Sequence, residues 1–367
     1  MVEAVAAIMP AANSAFELGA ITVDEPKAGE VLVDIKAVGI CHSDLVMVSG
    51  AFGTAFPAVF GHEGAGIVAA VGEGVTKVAV GDKVLLTFNS CGQCTHCQAN
   101  DPSYCEQFTA LNLACVRADG SSRLHRHGQQ LADNFFGQSS FATKAIASER
   151  NIIKLDADAE LAAVAPLGCG IQTGAGAVLR SLEAKAGQSL VVIGGGSVGL
   201  SAVLGGKIAG CAPIILIEPQ ESRRAIGSEI GVDHAIDPDA GDLIEAVRAI
   251  LPGGADLIVD TSGNDGAMKA ALGMIANKGR LGLVGLPGAF DAALPVPVVQ
   301  WLTQGGTLRG IVEGDSDPDR FLPELLEHHR AGRLPFDKFV TTYPFDQINR
   351  AIEDAHSGKA IKVVLTV

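Results

Sequence analysis

Charged and aromatic residues are scarce in this chain of 367 residues, at 19% and 5%, with one Trp and two Tyr. Basic residues are outnumbered, with 27 Lys and Arg against 41 Asp and Glu, so the net charge is −14. An acidic chain without a Lys/Arg run repels phosphate groups. We therefore do not expect nucleic acid or anionic membrane surfaces as partners. The 48% of hydrophobic residues supply ample buried cores, which excludes a disordered or coiled-coil protein.

We expect neither a secretory signal nor a membrane span in this sequence. Its first ten residues have no basic region followed by an apolar core, so we expect a cytoplasmic protein. Residues 189–217 are strongly apolar, but glycines, Lys207 and Pro213 interrupt them, which is typical of strand, turn, helix and strand. In a reducing compartment, the eight cysteines are typical of metal ligands or buried thiols rather than disulfides.

The pattern of short apolar runs changes along the chain, and the length allows about two domains. Up to about residue 153, β-rich runs with glycine turns predict a compact β domain of barrel type, with strands at 31–38, 65–71 and 83–86. The final apolar strand, 361–367, follows two amphipathic segments, and we expect it to rejoin this first domain.

Between about residues 161 and 310, strands alternate with helix-length segments such as 198–209 and 241–250. This alternation predicts a doubly wound parallel sheet. The predicted strands are 189–193, 214–218, 234–236, 257–259 and 279–284.

A glycine-rich turn at residues 194–199 follows an apolar strand and opens a helix. Gly194 would permit the tight turn, Gly196 would let the backbone approach a pyrophosphate, and Gly199 would allow close packing of helix on strand. The free N–H groups of the helix start would bind the phosphates. The context predicts a dinucleotide site.

Glu218 ends the next strand about 20 residues after Gly199. A carboxylate there would hydrogen-bond the adenosine ribose hydroxyls and repel a 2′-phosphate, so the sequence favours NAD over NADP. The neighbouring Arg223 and Arg224 leave NADP as the alternative, since a guanidinium could bind the 2′-phosphate.

Four thiols lie within one short loop, at Cys91, Cys94, Cys97 and Cys105. Tetrahedral Zn²⁺ suits four local thiolates, and a closed shell leaves no position for substrate, so we expect a structural zinc. An iron–sulfur cluster and two local disulfides are the alternatives. His96, between these ligands, is expected to be exposed.

Three further metal-ligand types, Cys41, His62 and Cys169, are dispersed along the chain. Spacing alone does not join them, because a single cysteine is more often a small buried hydrophobe than a ligand.

The chain nevertheless resembles the zinc-dependent medium-chain alcohol dehydrogenases over essentially its whole length. The matching motifs occur in the same order: Gly61-His62-Glu63-Gly64-Ala65-Gly66, the four-cysteine loop, Leu167-Gly168-Cys169-Gly170 with Thr173, and the glycine-rich turn. The sequence is most similar to bacterial aryl-alcohol (benzyl alcohol) dehydrogenases at residues 135–143, 167–176, 309–314 and 343–350. The resemblance implies an α/β protein with a GroES-like β-barrel catalytic domain, residues 1–170 and 313–367, and a Rossmann NAD-binding domain, residues 171–312.

This resemblance implies a second, catalytic zinc, held by Cys41, His62 and Cys169 with a fourth position open. Asp44 would orient His62, and Glu63 would either approach the zinc as a transient ligand or balance local charge. The residues implied to bind NAD are His42, Thr173, Gly194, Gly196, Val198, Gly199, Glu218, Arg223 and Lys362, with His42 and Lys362 near the pyrophosphate.

By the same resemblance, Ser43 would take the substrate proton and pass it along the nicotinamide ribose. In the family's animal enzymes this relay ends at a histidine, whose position holds Val46 here. Either solvent or another group must therefore accept the proton.

The implied function is the NAD-dependent interconversion of a primary aromatic alcohol and its aldehyde, with two zincs per chain in a homotetramer or homodimer. Within the family, an allylic terpene alcohol such as geraniol and the glutathione adduct of formaldehyde are alternatives. A non-catalytic nucleotide-binding relative is the alternative outside enzymes. Cys115, Cys211 and the surface segment 125–127 match no site.

Overall fold

The computed structural model describes residues 1–50, 52–117, 119–289 and 291–367. The chain divides into two compact units. Unit 1 comprises Met1–Cys169, Asp317–Leu326 and Val340–Val367, and unit 2 comprises Gly170–Ser316 and Glu327–Phe339. The domain bounds expected from the sequence stay a prediction.

Strands and helices alternate along the described part of the chain. The strands are β1 (Val2–Ile8), β2 (Glu17–Val23), β3 (Glu30–Ile40), β4 (Glu63–Val71), β5 (Lys83–Leu86), β6 (Leu124–Arg126), β7 (Gln129–Gln130), β8 (Lys144–Ser148), β9 (Ile152–Lys154), β10 (Leu190–Ile193), β11 (Ile214–Ile217), β12 (His234–Ile236), β13 (Ala255–Asp260), β14 (Ile275–Leu283), β15 (Thr307–Gly310), β16 (Val340–Pro344) and β17 (Lys362–Thr366). The α-helices are α1 (His42–Val48), α2 (Thr95–Gln98), α3 (Phe108–Asn112), α4 (Leu161–Val164), α5 (Gly170–Gly176), α6 (Ser197–Ala209), α7 (Glu221–Glu229), α8 (Leu243–Ile250), α9 (Asp265–Met274), α10 (Val298–Gln304), α11 (Pro318–Arg330) and α12 (Ile348–His356).

Unit 1 is built on two sheets. One has the strand order β1-β2-β6-β7, and the other has the order β16-β17-β3-β4-β5-β9 with β8 paired to β3. The predicted strands near residues 31–38, 65–71 and 83–86 are confirmed as β3, β4 and β5. The final strand, β17, runs antiparallel to β3 with Val363 opposite Ile40, so the carboxy terminus rejoins this unit as expected.

Unit 2 contains a six-stranded parallel sheet in the order β12-β11-β10-β13-β14-β15. Its central strands β10 and β11 consist of Leu, Val and Ile, all buried, as expected for a parallel sheet covered on both faces. Successive strands are added in one direction from β10 to β12 and in the other direction from β13 to β15, so the switch point of the sheet lies between β10 and β13, as in a Rossmann sheet. The predicted parallel sheet and all five of its predicted strands are confirmed.

The strands that were not predicted from the sequence include β15 and β16, each at the edge of its sheet. The edge strand β15 is exposed at every position, and β16 is mostly exposed. Neither carries the apolar alternation by which a half-buried strand is recognised.

The apolar stretch at residues 189–217 forms β10, α6 and β11, as predicted. Among the described residues, no single helix has the length and apolarity to cross a membrane. One bent pair of helices, Leu161–Gly168 and Gly170–Ser181, meets those two criteria only when taken together.

Candidate active site

Three elements of unit 1 bring the dispersed cysteines and histidine together. Cys41 caps the start of α1, His62 precedes β4, and Cys169 follows a short 3-10 helix, Ala165–Gly168. Their ligand atoms and a carboxylate oxygen of Glu63 all lie within 4.8 Å of one another. The Sγ atoms of Cys41 and Cys169 are 3.9 Å apart.

This separation matches a tetrahedral metal shell. Two thiolates bound to one zinc at about 2.3 Å would stand about 3.8 Å apart, whereas a disulfide would hold them at about 2.05 Å. His62 is fully buried, and its Nε2 has no hydrogen-bond partner among the described residues. A buried nitrogen without a partner beside two thiols is the donor set expected for zinc, so the residues fit the metal.

Asp44 fixes the ring of His62. Its Oδ1 lies 3.1 Å from His62 Nδ1 and also accepts a hydrogen bond from the Gly61 N–H, at 3.0 Å. Its Oδ2 accepts from the Cys41 N–H, at 2.9 Å. Because a carboxylate can only accept a hydrogen bond, the Nδ1 of the neutral His62 ring carries the proton, and its Nε2 keeps the lone pair that a metal requires. Asp44 thus connects the backbone of one ligand to the ring of another.

The charges around the cluster favour a cation among its ligands. Hydrogen bonding to the Cys169 thiol lowers the pKa of Cys41 well below its ordinary value, although burial acts in the opposite direction. Burial lowers the pKa of His62, but Asp44 and Cys41 outweigh that effect and raise it. A thiolate is the form of cysteine that binds metals.

Glu63 and Lys362 form a buried ion pair beside the cluster. Lys362 Nζ donates to Glu63 Oε1 at 2.6 Å and to the Ile40 carbonyl at 3.0 Å, and the two side chains are 1% and 0% exposed. Burial raises the pKa of Glu63 to about 7, against the opposing charge of Lys362. Lys362 was expected near the pyrophosphate. The register of β17 on β3 brings it next to Cys41, and its contact with the pyrophosphate stays a prediction.

The four-cysteine loop forms a second cluster, in which all four Sγ atoms lie within 4.8 Å of one another. Cys91 and Cys97 are 3.9 Å apart, as are Cys94 and Cys105, so these thiols are free rather than disulfide-bonded. The Cys94 N–H donates to Cys91 Sγ, and two further N–H groups donate to Cys105 Sγ. Hydrogen bonds of this kind stabilise thiolates, so this loop also fits a tetrahedral zinc.

His96 lies outside this second cluster. Its side chain is 49% exposed and faces Asp101, with a separation of 3.6 Å. This position agrees with the expectation that His96 is no ligand.

In unit 2, the glycine-rich turn has the geometry that its sequence predicts. Gly194 has φ of +98°, a conformation that L side chains rarely adopt. A Cβ at Gly199 would stand 1.8 Å from the Gly194 carbonyl oxygen, so only glycine fits there. Gly196 caps α6, and apart from its chain neighbours no described residue has an atom within 4 Å of the Cβ that it lacks, which leaves its backbone open to a ligand. Val198 lies in the first turn of this helix.

The carboxylate of Glu218 lies at the tip of β11, against this turn. Its Oε2 accepts from the Gly195 N–H at 2.6 Å and its Oε1 from the Gln220 N–H at 2.8 Å. Arg224 donates to the Glu218 and Pro219 carbonyls, both at 2.7 Å, and pairs with Asp237. The guanidinium of Arg224 is therefore already bound by groups of the protein itself.

Two other predicted cofactor residues of unit 2 have different surroundings. Arg223 is half-buried, and its Nε has no hydrogen-bond partner among the described residues. Thr173, in α5, lies with its hydroxyl 3.5 Å from a Glu313 carboxylate oxygen. Their contacts with NAD stay predictions.

The first turn of α1 carries the predicted proton path. Ser43 is half-buried, with its Oγ 4.0 Å from Cys41 Sγ, whereas His42 is exposed. Val46, one turn further along, is half-buried and offers no side-chain group that could take a proton. The proton path itself stays a prediction.

Phe136 and Gln138 contact the His62 segment, and neither was singled out as a site residue from the sequence. The Phe136 ring stacks on the His62 ring, with centroids 4.4 Å apart and planes at 26°. The Gln138 carboxamide donates to the His62 carbonyl at 2.9 Å. Both lie in a segment that marked the resemblance to aryl-alcohol dehydrogenases, but nothing in its spacing shows which side chains turn inward.

Comparison with known proteins agrees with this geometry. Residues 27–157 match the family described as alcohol dehydrogenase GroES-like domain, and residues 197–328 match zinc-binding dehydrogenase. The chain is 46% identical over 366 residues to the geraniol dehydrogenase of Castellaniella defragrans, covering 99% of this chain and 98% of that protein.

Two solved structures are similar over nearly the full length. The alcohol dehydrogenase zinc-binding domain protein from Burkholderia ambifaria is 42% identical, with a TM-score of 0.98, covering 100% of this chain and 99% of that one. Benzyl alcohol dehydrogenase from Acinetobacter calcoaceticus is 36% identical, with a TM-score of 0.97, covering 100% of both chains.

The chain therefore belongs to the zinc-dependent medium-chain alcohol dehydrogenases. The predicted fold class, a GroES-like domain with a Rossmann domain, and the predicted requirement for zinc are confirmed at the level of the family.

Proposed function

We propose that this protein oxidises a primary alcohol whose carbinol carbon adjoins an sp² carbon, benzylic or allylic, to the aldehyde, with NAD⁺ as the hydride acceptor. The observation that carries the proposal is the buried cluster of Cys41, His62 and Cys169. Its two sulfurs stand 3.9 Å apart, and the His62 Nε2 has no hydrogen-bond partner in the described part of the chain. Bound there, zinc would supply a Lewis acid that lowers the pKa of the alcohol.

The choice of substrate class rests on what two relatives share. One is a geraniol dehydrogenase and the other a benzyl alcohol dehydrogenase, and both alcohols are primary with an unsaturated carbon next to the carbinol carbon. The phenylalanines Phe135 and Phe136 contact the His62 ring, so the cluster lies in apolar and aromatic surroundings that suit such a substrate.

The chain's own residues then have distinct tasks. Cys41, His62 and Cys169 hold the catalytic metal, and Asp44 keeps the His62 lone pair directed at it. The Ser43 hydroxyl takes the proton of the alcohol and passes it outward. Because Val46 cannot accept it, the proton goes on to solvent or to another group. Cys91, Cys94, Cys97 and Cys105 hold a second zinc that stabilises their loop.

The NAD preference rests on Glu218. Its buried carboxylate stands where a 2′-phosphate would add negative charge, and Arg224, which could offset that charge, is bound to the carbonyls of Glu218 and Pro219 and to Asp237. Arg223 remains the guanidinium available for the adenosine end of the cofactor.

The test is a steady-state comparison of benzyl alcohol and geraniol with two saturated alcohols, cyclohexylmethanol and ethanol, each with NAD⁺ and NADP⁺. We expect kcat/KM to be highest for an unsaturated alcohol with NAD⁺. Equal or better activity on the saturated alcohols would refute the substrate class, and a preference for NADP⁺ would refute the role of Glu218. Formaldehyde with glutathione, included as a further substrate, tests the family alternative.

A further inference from the structure

The side chain of Gln138 makes four hydrogen bonds inside unit 1. Its Nε2 donates to the His62 carbonyl at 2.9 Å and to the Thr87 carbonyl at 3.1 Å. Its Oε1 accepts from the Gly64 N–H at 3.1 Å and from the Ser140 hydroxyl at 2.9 Å. A carboxamide offers two donors and two acceptor positions, so the capacity of this side chain is used in full.

The orientation of the carboxamide follows from its partners. The Gly64 N–H can only donate, and the His62 and Thr87 carbonyls can only accept, so oxygen and nitrogen are fixed by the backbone around them. Gln138 is 2% exposed. Loss of the carboxamide would remove these bonds from the His62 carbonyl and the Gly64 N–H, and a buried polar group left without a partner costs about 1–3 kcal/mol. The Thr87 carbonyl would keep the hydrogen bond that it accepts from the Asn151 carboxamide, at 3.2 Å.

These bonds join two segments that carry ligands of the catalytic cluster. Gln138 holds the backbone on both sides of Glu63, at His62 and at Gly64. Through Thr87 it reaches the third ligand, because the Thr87 hydroxyl donates to the Gly168 carbonyl at 2.7 Å, next to Cys169. Gly168 itself lies so close to β5 that a Cβ would stand 2.3 Å from the Leu86 carbonyl oxygen.

The loop that carries Gln138 has an unusual backbone that turns this side chain inward. Asn134, Phe136 and Ser139 have φ of +72°, +50° and +50°, a region that residues other than glycine seldom adopt. The Ser139 hydroxyl donates to the Val59 carbonyl at 2.7 Å and accepts from the Phe135 N–H at 3.0 Å, which fixes the loop. Strain of this kind persists where the surroundings hold it and is common at functional sites.

We infer that Gln138 is a positioning residue of the catalytic metal site: its carboxamide sets the separation of the His62 and Cys169 segments and thereby the fit of the ligand shell. It touches neither metal nor substrate and acts through the two backbone segments. The inference rests on the proposed function of the Cys41, His62 and Cys169 cluster. Partners outside the ligand shell commonly change metal affinity by roughly 10- to 100-fold.

The experiment measures zinc release from the purified, zinc-loaded protein to a chromogenic chelator, with Cys169→Ser used to assign the kinetic phase of the catalytic site. Gln138→Met fills a similar volume without hydrogen bonds. Gln138→Glu retains the acceptor oxygen for Gly64 but loses the donors to His62 and Thr87. We expect both variants to release the catalytic zinc roughly 10- to 100-fold faster, with release from the four-cysteine loop unchanged.

Asn349→Leu is the matched control, since the Asn349 carboxamide bonds both the N–H and the carbonyl of Phe16, which is not a zinc ligand. It should leave both phases of release unchanged. A second readout is the thiolate-to-metal absorption of protein with Co²⁺ at the catalytic site, whose spectrum should change in the Gln138 variants and stay the same in Asn349→Leu.

Two results would overturn the inference alone. In the first, both Gln138 variants release the catalytic zinc at the wild-type rate and keep the wild-type cobalt spectrum. In the second, zinc release accelerates equally at both zinc sites, which would mark a general loss of stability. A wild-type protein with no zinc at the Cys41 cluster would overturn the proposed function as well. The zinc content of the wild type therefore separates the two failures.

Discussion

Replacement of Lys362 by methionine removes one partner of the buried ion pair while nearly keeping the volume of the side chain. The Nζ atom lies 2.6 Å from Glu63 Oε1, and both side chains are shielded from water. At an effective dielectric constant of about 20, two unit charges at this distance attract with about 6 kcal/mol. Part of this attraction offsets the cost of burying the two charges, and loss of one partner from such a pair typically destabilises by about 3–5 kcal/mol.

We therefore expect Lys362→Met to lower the free energy of unfolding by about 3–5 kcal/mol, because Glu63 is left buried without its counter-charge. The double variant Glu63→Gln with Lys362→Met has no buried charge at this position and should recover most of the loss. Urea unfolding of zinc-loaded protein, followed by circular dichroism, measures the change. Hydrogen exchange of β3 and β17 shows whether the loss lies in unit 1.

The control is Lys27→Met, which breaks an exposed pair with Asp119 at 3.0 Å, where the side chains are 52% and 58% exposed. Exposed pairs contribute about 0–1 kcal/mol, so this variant should unfold nearly as the wild type does. The reasoning is refuted if Lys362→Met costs less than about 1 kcal/mol, or if the double variant is no more stable than the single one.

Three further predictions concern the proton path, the cofactor and acid stability. Ser43→Ala should reduce kcat about 100-fold, the scale of general acid–base contributions, while Ser43→Thr keeps the hydroxyl and most of the activity; equal rates for both variants would remove Ser43 from the path. Glu218→Ala should raise kcat/KM with NADP⁺ relative to NAD⁺, and an unchanged ratio would contradict its role. Burial acts to raise the pKa of Glu30, but Arg117 and Arg123 outweigh burial and lower that pKa below the ordinary 4.5. The ionised Glu30 carboxylate therefore stabilises the folded protein above about pH 4.5, and this stabilisation is lost as acid protonates the carboxylate. The unfolding free energies of wild type and Glu30→Gln should thus differ at pH 7 and converge as the pH falls below 4; a constant difference would contradict this.

Elements with strong local patterns were predictable from the sequence. The buried Leu, Val and Ile of β10 and β11, separated by the glycine-rich turn and α6, read directly as a strand, helix and strand. The four-cysteine cluster was predictable for a similar reason, since its ligands lie within one short loop and need no distant segment to meet.

The catalytic cluster could not be derived from spacing, because its three ligands meet only through tertiary structure. The resemblance to a known family supplied the grouping, and the shared contacts of Asp44 with His62 and Cys41 give it a physical cause. The contact of Lys362 with Glu63 could not be predicted from the sequence, because it depends on the pairing of β17 with β3, two strands from opposite ends of the chain. Gln138 gave no signal, since a glutamine in a polar loop is usually exposed.

The most direct test of the central claim is the zinc content per chain of the wild type and of Cys169→Ser, measured together with NAD⁺ reduction by benzyl alcohol and geraniol. We expect two zincs and activity for the wild type, and one zinc without activity for Cys169→Ser. Two zincs retained in the variant, or a wild type that reduces NAD⁺ with only the four-cysteine zinc present, would contradict the assignment of Cys41, His62 and Cys169 as the catalytic metal site.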